Sequence, residues 1–433
     1  MSQHHRRWFL KEVPSLLADG VIDADTARRL EARYTTAEPG RNRALTVFSI
    51  LGGTLVGLGI ILLLAHNWAE LSRATRTALA FAPLICAQAL AVWLIRSGRD
   101  SAAWREGVGL FWTFAIGAAI ALVAQTYHIP GDAGRFAMTW MLLTLPVIYL
   151  LNASGPALVY LAGMLFWAAD TQDNGGAAWV FWPLAALLLP HTYPAVRQNP
   201  YGSRAAVLLW GGTVALCIAT AITLEDLVRD RWVFVYAVLF AALYLAGENW
   251  LADATSNWQR PLRTIGGGGC VVLTFQLTYD WMWDDFTWLF WTNHLQNNYA
   301  AILSNLILAL MAVAVIALLV RSARHGKTHA LFIGALPIMV GLGNFIAHKF
   351  GGGAICLANL YAFGLGLDLL IRGFRTRRNG TVNLGLLLLF TLILLRFWDE
   401  RFGFVLRGVI FVVLGLAFLS VNLFLARHKK ATP

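Results

Sequence analysis

The stretch Gly107–Ala124, GVGLFWTFAIGAAIALVA, runs directly into Gln125–Asp132, QTYHIPGD. An almost wholly apolar run of this length is what one helix needs to cross a bilayer. The polar string behind it supplies an amide, a hydroxyl, a phenol, an imidazole and a Pro-Gly turn closed by a carboxylate. A bare membrane exit needs none of these groups. The apolar half therefore decides the fold class, and the polar half asks what is gathered at that surface.

Similar runs recur from Ala44 to Ala426. The chain of 433 residues is 58% hydrophobic and 13% charged, with a mean hydropathy of +0.61. A soluble domain carries about 25% charged residues. The composition predicts an all-α, polytopic helix bundle embedded in the lipid bilayer. Spans are expected at about 44–65, 77–95, 107–125, 136–151, 155–169, 177–193, 205–223, 232–248, 264–280, 300–320, 330–347, 352–371, 381–396 and 403–426, fourteen in all, with a very tight connection at Asn152–Pro156.

Residues 1–43 are different. Trp8, Phe9, Val13, Leu16 and Leu17 fall at helical spacing, Gly20 is placed to end that helix, and Asp23 is placed to cap a second helix carrying Ala27, Leu30 and Tyr34. The expected division is a helical hairpin over 1–43, a bundle over 44–426 and a basic tail over 427–433. The hairpin is too short for a core of its own and needs something to dock on.

The net charge of +11 does not indicate nucleic acid, because the basic residues sit in short loops between apolar runs. With the N-terminus in the cytoplasm, the expected inner loops hold nineteen Lys and Arg and the outer loops eight. That bias predicts both termini inside, in a bacterial cytoplasmic (inner) membrane. Cys86, Cys217, Cys270 and Cys356 lie within apolar runs without CxxC spacing, which suits small packing residues rather than disulfides or zinc. No metal site and no cofactor motif is read: there is no HExxH, Walker A, GxSxG, kinase set or strand-borne GxGxxG.

This topology gathers unusual polar groups on the outer ends of the spans. They are His66 and Asn67 after the first span; Gln125, Tyr127, His128 and Asp132 after the third; and Arg396, Asp399, Glu400 and Arg401 between the last two, with Arg407 inside the final helix. Together they are candidates for an outward-facing polar vestibule. His128 and Asp132 are placed to bind or relay protons, a task suited to imidazole. Arg396, Arg401 and Arg407 are placed to hold an anionic head group. The same residue types also serve simply as interfacial anchors, and that alternative stays open.

Asp280–Asn298, rich in Trp and Asp, reads as an anchor in the outer interface. Glu248 is expected to face water at the inner surface, and Asp368 with Arg372 to form an i,i+4 ion pair. Asn305, Asn344, Asn359, Asn383 and Asn422 are expected to hydrogen-bond between helices.

The opening WFLKEVPSLLADGVIDADTARRLEARY, the first span ending in AHNWAEL, the QTYHIPGD string and the ending RFWDERFGFVLRGVIFVVLG resemble the bacterial membrane proteins grouped as domain of unknown function 2157. The resemblance implies a possible partner bearing a GDYxxLxY motif, and it implies no reaction. A transport or export component is the leading expectation. The alternatives are an assembly or scaffold subunit, including a homo-oligomer, and a membrane-embedded enzyme acting on a lipid-linked substrate through Asp132, Asp399 or Glu400.

Overall fold

A computed structural model describes residues 3–35, 70–98, 101–224, 231–254, 256–284, 299–350 and 353–397, with isolated positions 405, 408 and 412. The expected first and last spans, the basic tail and most of the tryptophan-rich string lie outside the described residues. Every regular element among the described residues is helical.

Helices α1 (Gln3–Ala18) and α2 (Ala24–Thr35) pack on each other. Gly20 between them has φ +69, and the Val21 amide returns to the Leu16 carbonyl at 3.0 Å. Glycine enters this left-handed region without the clash a Cβ brings, which is why the helix stops here. Asp23 accepts from the Thr26 amide at 3.1 Å and so caps α2. Val13 and Ala27 are buried.

The remaining helices are α3 (Arg73–Arg96), α4 (Ala102–Tyr127), α5 (Ala133–Leu151), α6 (Ser154–Asp173), α7 (Phe181–Ala186), α8 (Leu189–Gln198), α9 (Ser203–Thr223), α10 (Trp232–Trp250), α11 (Pro261–Gln276), α12 (Trp281–Asp284), α13 (Tyr299–Arg324), α14 (Thr328–Gly334), α15 (Leu336–Phe350), α16 (Gly353–Arg375) and α17 (Asn379–Phe397). Among the described residues, seven are long and apolar enough to cross a membrane: α3, α4, α5, α9, α10, the Leu306–Arg324 part of α13, and α16. The other expected spans with described residues coincide with helices that are shorter or less apolar.

Two expected spans are broken. The sixth divides into α7 and α8, where Pro183, Pro190 and Pro194 each remove an amide from the ladder. The eleventh divides at Ala335, two residues before Pro337, which disfavours a helical turn immediately ahead of it.

Local chemistry sets the joints. The α4 helix ends on His128 at φ 54, and Asp132 caps α5 by accepting from the Arg135 amide at 2.6 Å. The α5 helix ends on Asn152 at φ 51, and α6 begins two residues later. Its first amides are satisfied from a distance. The Glu106 carboxylate on α4 accepts from Ser154 at 2.7 Å and from Gly155 at 2.6 Å. A carboxylate at a helix N-terminus satisfies orphan donors and opposes the dipole. One side chain thereby ties α4 to the α5–α6 joint.

Three buried clusters organise the helices beyond α2. One joins Ala91 and Leu94 of α3 to α4 and α5; a second is built around Met141, Tyr160, Met164 and Phe181; the third centres on α10. Within Trp232–Trp250, 72% of the membrane-length window is buried, because α11, α13, α14 and α15 all pack on it. Glycines allow α11 to lie directly on α10. A Cβ on Gly247 would fall 2.6 Å from the Arg263 amide, and one on Gly266 2.6 Å from the Phe240 carbonyl. Small residues permit such backbone contact in membrane bundles.

Candidate functional site

The α4–α5 turn carries the polar string that follows the apolar run. Gln125, Tyr127 and His128 are exposed, and His128 takes its left-handed conformation as a helix cap. Asp132 is engaged twice, as the α5 cap and in an ion pair with Arg135 at 3.0 Å. Asp170 of α6 lies so close over Gly134 that a Cβ there would collide with its carboxylate, and Asp132 Oδ1 is 3.5 Å from the same point. Two carboxylates thus flank the start of α5. Of the other vestibule candidates, His66, Asn67, Asp399, Glu400, Arg401 and Arg407 lie outside the described residues. Arg396 falls in α17 with its side chain outside them. Within the described residues the turn gains only Asp170.

A denser polar cluster lies at the other ends of the helices, built around α10. Glu248, one turn from the end of α10, is 4% exposed. The Arg263 guanidinium of α11 reaches its carboxylate at 2.7 Å. Lys327 Nζ, just before α14, donates to the Glu248 carbonyl at 2.5 Å. On α16, Arg372 pairs with Asp368 and lies within electrostatic range of Tyr244 and Glu248 on α10. Asn249 donates to Ser322 of α13 at 2.8 Å, and Ser322 is fully buried.

The expectation that Glu248 faces water is therefore corrected. α11 covers it, because Gly247 and Gly266 let the two backbones meet. The Asp368–Arg372 pair is present as expected. Asn359 donates to Ile355 of its own helix rather than to a neighbour, whereas Asn383 is exposed and Asn344 is buried. A cleft of about 430 Å³ opens beside the pair, lined by Thr328, Phe332, Asp368, Arg372 and Arg375 among others.

A second polar knot joins the early helices. Arg204, near the start of α9, donates to Asn152 and approaches both ring nitrogens of buried His191 at 3.3 and 3.4 Å. Sequence reading singled out neither Arg204 nor His191. The only signal was their place beside Pro190, Pro194 and the tight Asn152 joint. Among the described residues no three His, Cys, Asp or Glu side chains gather as a metal ion would require.

The chemistry of the α10 cluster is that of coupled ion pairs. Glu248 and Asp368 each have a guanidinium partner, and buried Tyr244 lies within electrostatic range of Glu248, Arg263 and Arg372. Such a group holds charge below the surface.

Residues 14–157 match the family model described as predicted membrane protein (DUF2157). The match begins inside α1, includes QTYHIPGD and ends at the start of α6. The RFWDER ending and the α10 cluster lie beyond it. No curated protein and no solved structure matches the chain.

Proposed function

We propose that this multi-pass membrane protein is a transport or export component whose working charges are the coupled pairs Glu248–Arg263 and Asp368–Arg372. The observation that carries this reading is the buried carboxylate of Glu248 on α10 paired with Arg263 of α11, with the Asp368–Arg372 pair of α16 within electrostatic range of it. Ionisable groups at membrane depth are costly and are functional by default. A buried ion pair is weak evidence for stability alone, since desolvation offsets its attraction. Exchange of partners between α11 and α16 gives the cluster a role in a moving bundle.

On this reading the chain has fourteen spans with both termini in the cytoplasm of a bacterial inner membrane. The α10 cluster then faces inward, and the His128–Asp132 turn lies at the outer mouth, with His66, Asn67, Arg396, Asp399, Glu400, Arg401 and Arg407. The basic residues near the ends of α13 and α16 support that orientation. In a cysteine-free background, a cysteine at Asp173 should react with an impermeant thiol reagent from outside, and one at Thr376 should not. The reverse pattern overturns the topology.

The functional test is a thermal-shift screen of purified protein against small anionic and lipid-linked ligands, paired with complementation of a deletion strain. A ligand response that is lost in Glu248→Gln and Arg263→Gln, together with failed complementation, is the expected result. No response in the native protein, with both variants complementing fully, refutes the reading.

A scaffold role has one supporting observation: Leu17 and Val21 are exposed apolar side chains on the α1–α2 pair. Co-purification of a GDYxxLxY membrane protein, lost on Leu17→Ser with Val21→Ser, would favour it. The enzyme alternative gains nothing from Asp132, whose carboxylate is occupied as cap and ion-pair partner.

A further inference from the structure

We propose that the cleft between the end of α10 and the last turns of α13 is a binding site for an anionic phospholipid of the cytoplasmic leaflet. The cleft measures about 600 Å³ and is lined by Trp250, Ala317, Leu318, Val320, Arg321, Arg324 and His325. Beside it, the 2.8 Å bond from Asn249 to Ser322 ties the end of α10 to α13. The cleft is thus a built concavity between two helix ends.

Charge selects the occupant. Three basic side chains stand at the rim, and no Asp or Glu lines the cleft. Neither the Arg321 nor the Arg324 guanidinium has an acidic partner among the described residues. The cleft beside Arg372 differs, because Asp368 already occupies its guanidinium. Two forked donors without an acid suit a phosphodiester. Basic pockets between helices on the cytoplasmic side are where anionic head groups are held.

Shape selects a lipid over a free phosphate. The cleft continues into an exposed apolar stripe on α13: Leu306, Leu310, Val313, Ile316 and Val320. These residues recur at spacings of three and four, so they share a face. At a rise of about 1.5 Å per residue the stripe runs about 21 Å. One leaflet's hydrocarbon is about 15 Å deep, half of the roughly 30 Å core. The stripe therefore accommodates a full acyl chain below a head group at Arg321 and Arg324. Only 17% of the membrane-length window of α13 is buried by protein, which leaves this face for the bilayer. Trp250, at the cleft wall, is the residue type that sits at head-group level.

The test uses the full-length protein, purified in detergent, stripped of lipid, and titrated with phosphatidylglycerol, phosphatidylcholine or soluble glycerol phosphate. Lipid occupancy is read by native mass spectrometry and stability by thermal melting. Phosphatidylglycerol should bind and raise the melting temperature, while the zwitterionic lipid and the soluble phosphate should do neither. Arg321→Gln with Arg324→Gln should weaken phosphatidylglycerol binding by roughly tenfold or more, given about a factor of five per basic group at the membrane surface. Ala317→Trp, which fills the cleft and keeps every charge, should also lose the lipid. Arg377→Gln, a charge change away from the cleft lining, should leave binding intact. Equal binding of both lipids, equal binding by the double variant, or displacement by glycerol phosphate alone overturns the proposal.

Discussion

Substituting Gly266 by Ala tests whether the α10–α11 backbone contact holds the charged cluster together. The new methyl would lie 2.6 Å from the Phe240 carbonyl and closer still to the Tyr244 amide. Both are backbone atoms, so no side chain can swing aside. Relief requires the helices to part by about 1 Å, the gap between that approach and ordinary carbon contact. The α10 helix cannot retreat easily, because α13, α14 and α15 pack on its other faces. Overpacking of this kind costs roughly 1–3 kcal/mol. Each kcal/mol moves the midpoint by about 2–4 °C in domains of roughly 150–250 residues, so a fall of about 2–12 °C is expected. The control is Gly268→Ala, two residues on, where a Cβ meets nothing within 4 Å. It should match the native protein in the same detergent melt, or gain slightly from the better helix propensity of Ala. If Gly266→Ala melts with the native protein, or if both substitutions cost the same, the close contact is not what holds these helices.

Three further outcomes can be measured. Glu248→Gln should destabilise by less than the roughly 3–5 kcal/mol of a fully buried broken pair, because the Arg263 side chain keeps 38% exposure. Adding Arg263→Gln should recover part of the loss in a double-mutant cycle, and strict additivity would show that the two are not coupled. Glu106→Ala should cost about 0.5–2 kcal/mol by orphaning the Ser154 and Gly155 amides, with faster hydrogen exchange confined to the start of α6; unchanged exchange there refutes the long-range cap. Asp23 is held below its ordinary value of 3.8 by the Thr26 side-chain and backbone hydrogen bonds. Its capping contribution is therefore complete above that value and declines as pH falls through the lower folded value. Exchange at the α2 amides should rise across that acidic window, and Asp23→Asn should flatten the dependence.

The membrane class and most helix positions were legible because long apolar runs separated by basic loops encode them directly. Where boundaries moved, local chemistry explains it. The α4 helix extends back to Ala102 through Arg105 and Glu106, which hydropathy excludes, and Glu106 faces the α6 amides rather than water. The α7–α8 break was signalled by its prolines and still read as one span, since composition alone remained apolar. The α10 cluster was not legible. Glu248 and Arg263 meet through a contact between separate helices, and the glycines that permit it looked like one weak run at Gly266–Gly269. The α4–α5 turn was legible as an unusual string, and Asp170 was missed as its neighbour because thirty-six positions separate it from Gly134.

The envelopment of α10 also bears on biogenesis. When this segment leaves the ribosome, α11, α13 and α15 have not yet been made, and the faces they bury are still open. Its membrane-length window is among the least apolar of the seven, at a hydropathy of 1.4 against 2.6 for that of α13. Apolar length alone lets α10 enter the bilayer, so its burial against the later helices and its pairing with Arg263 belong to the packing that follows insertion.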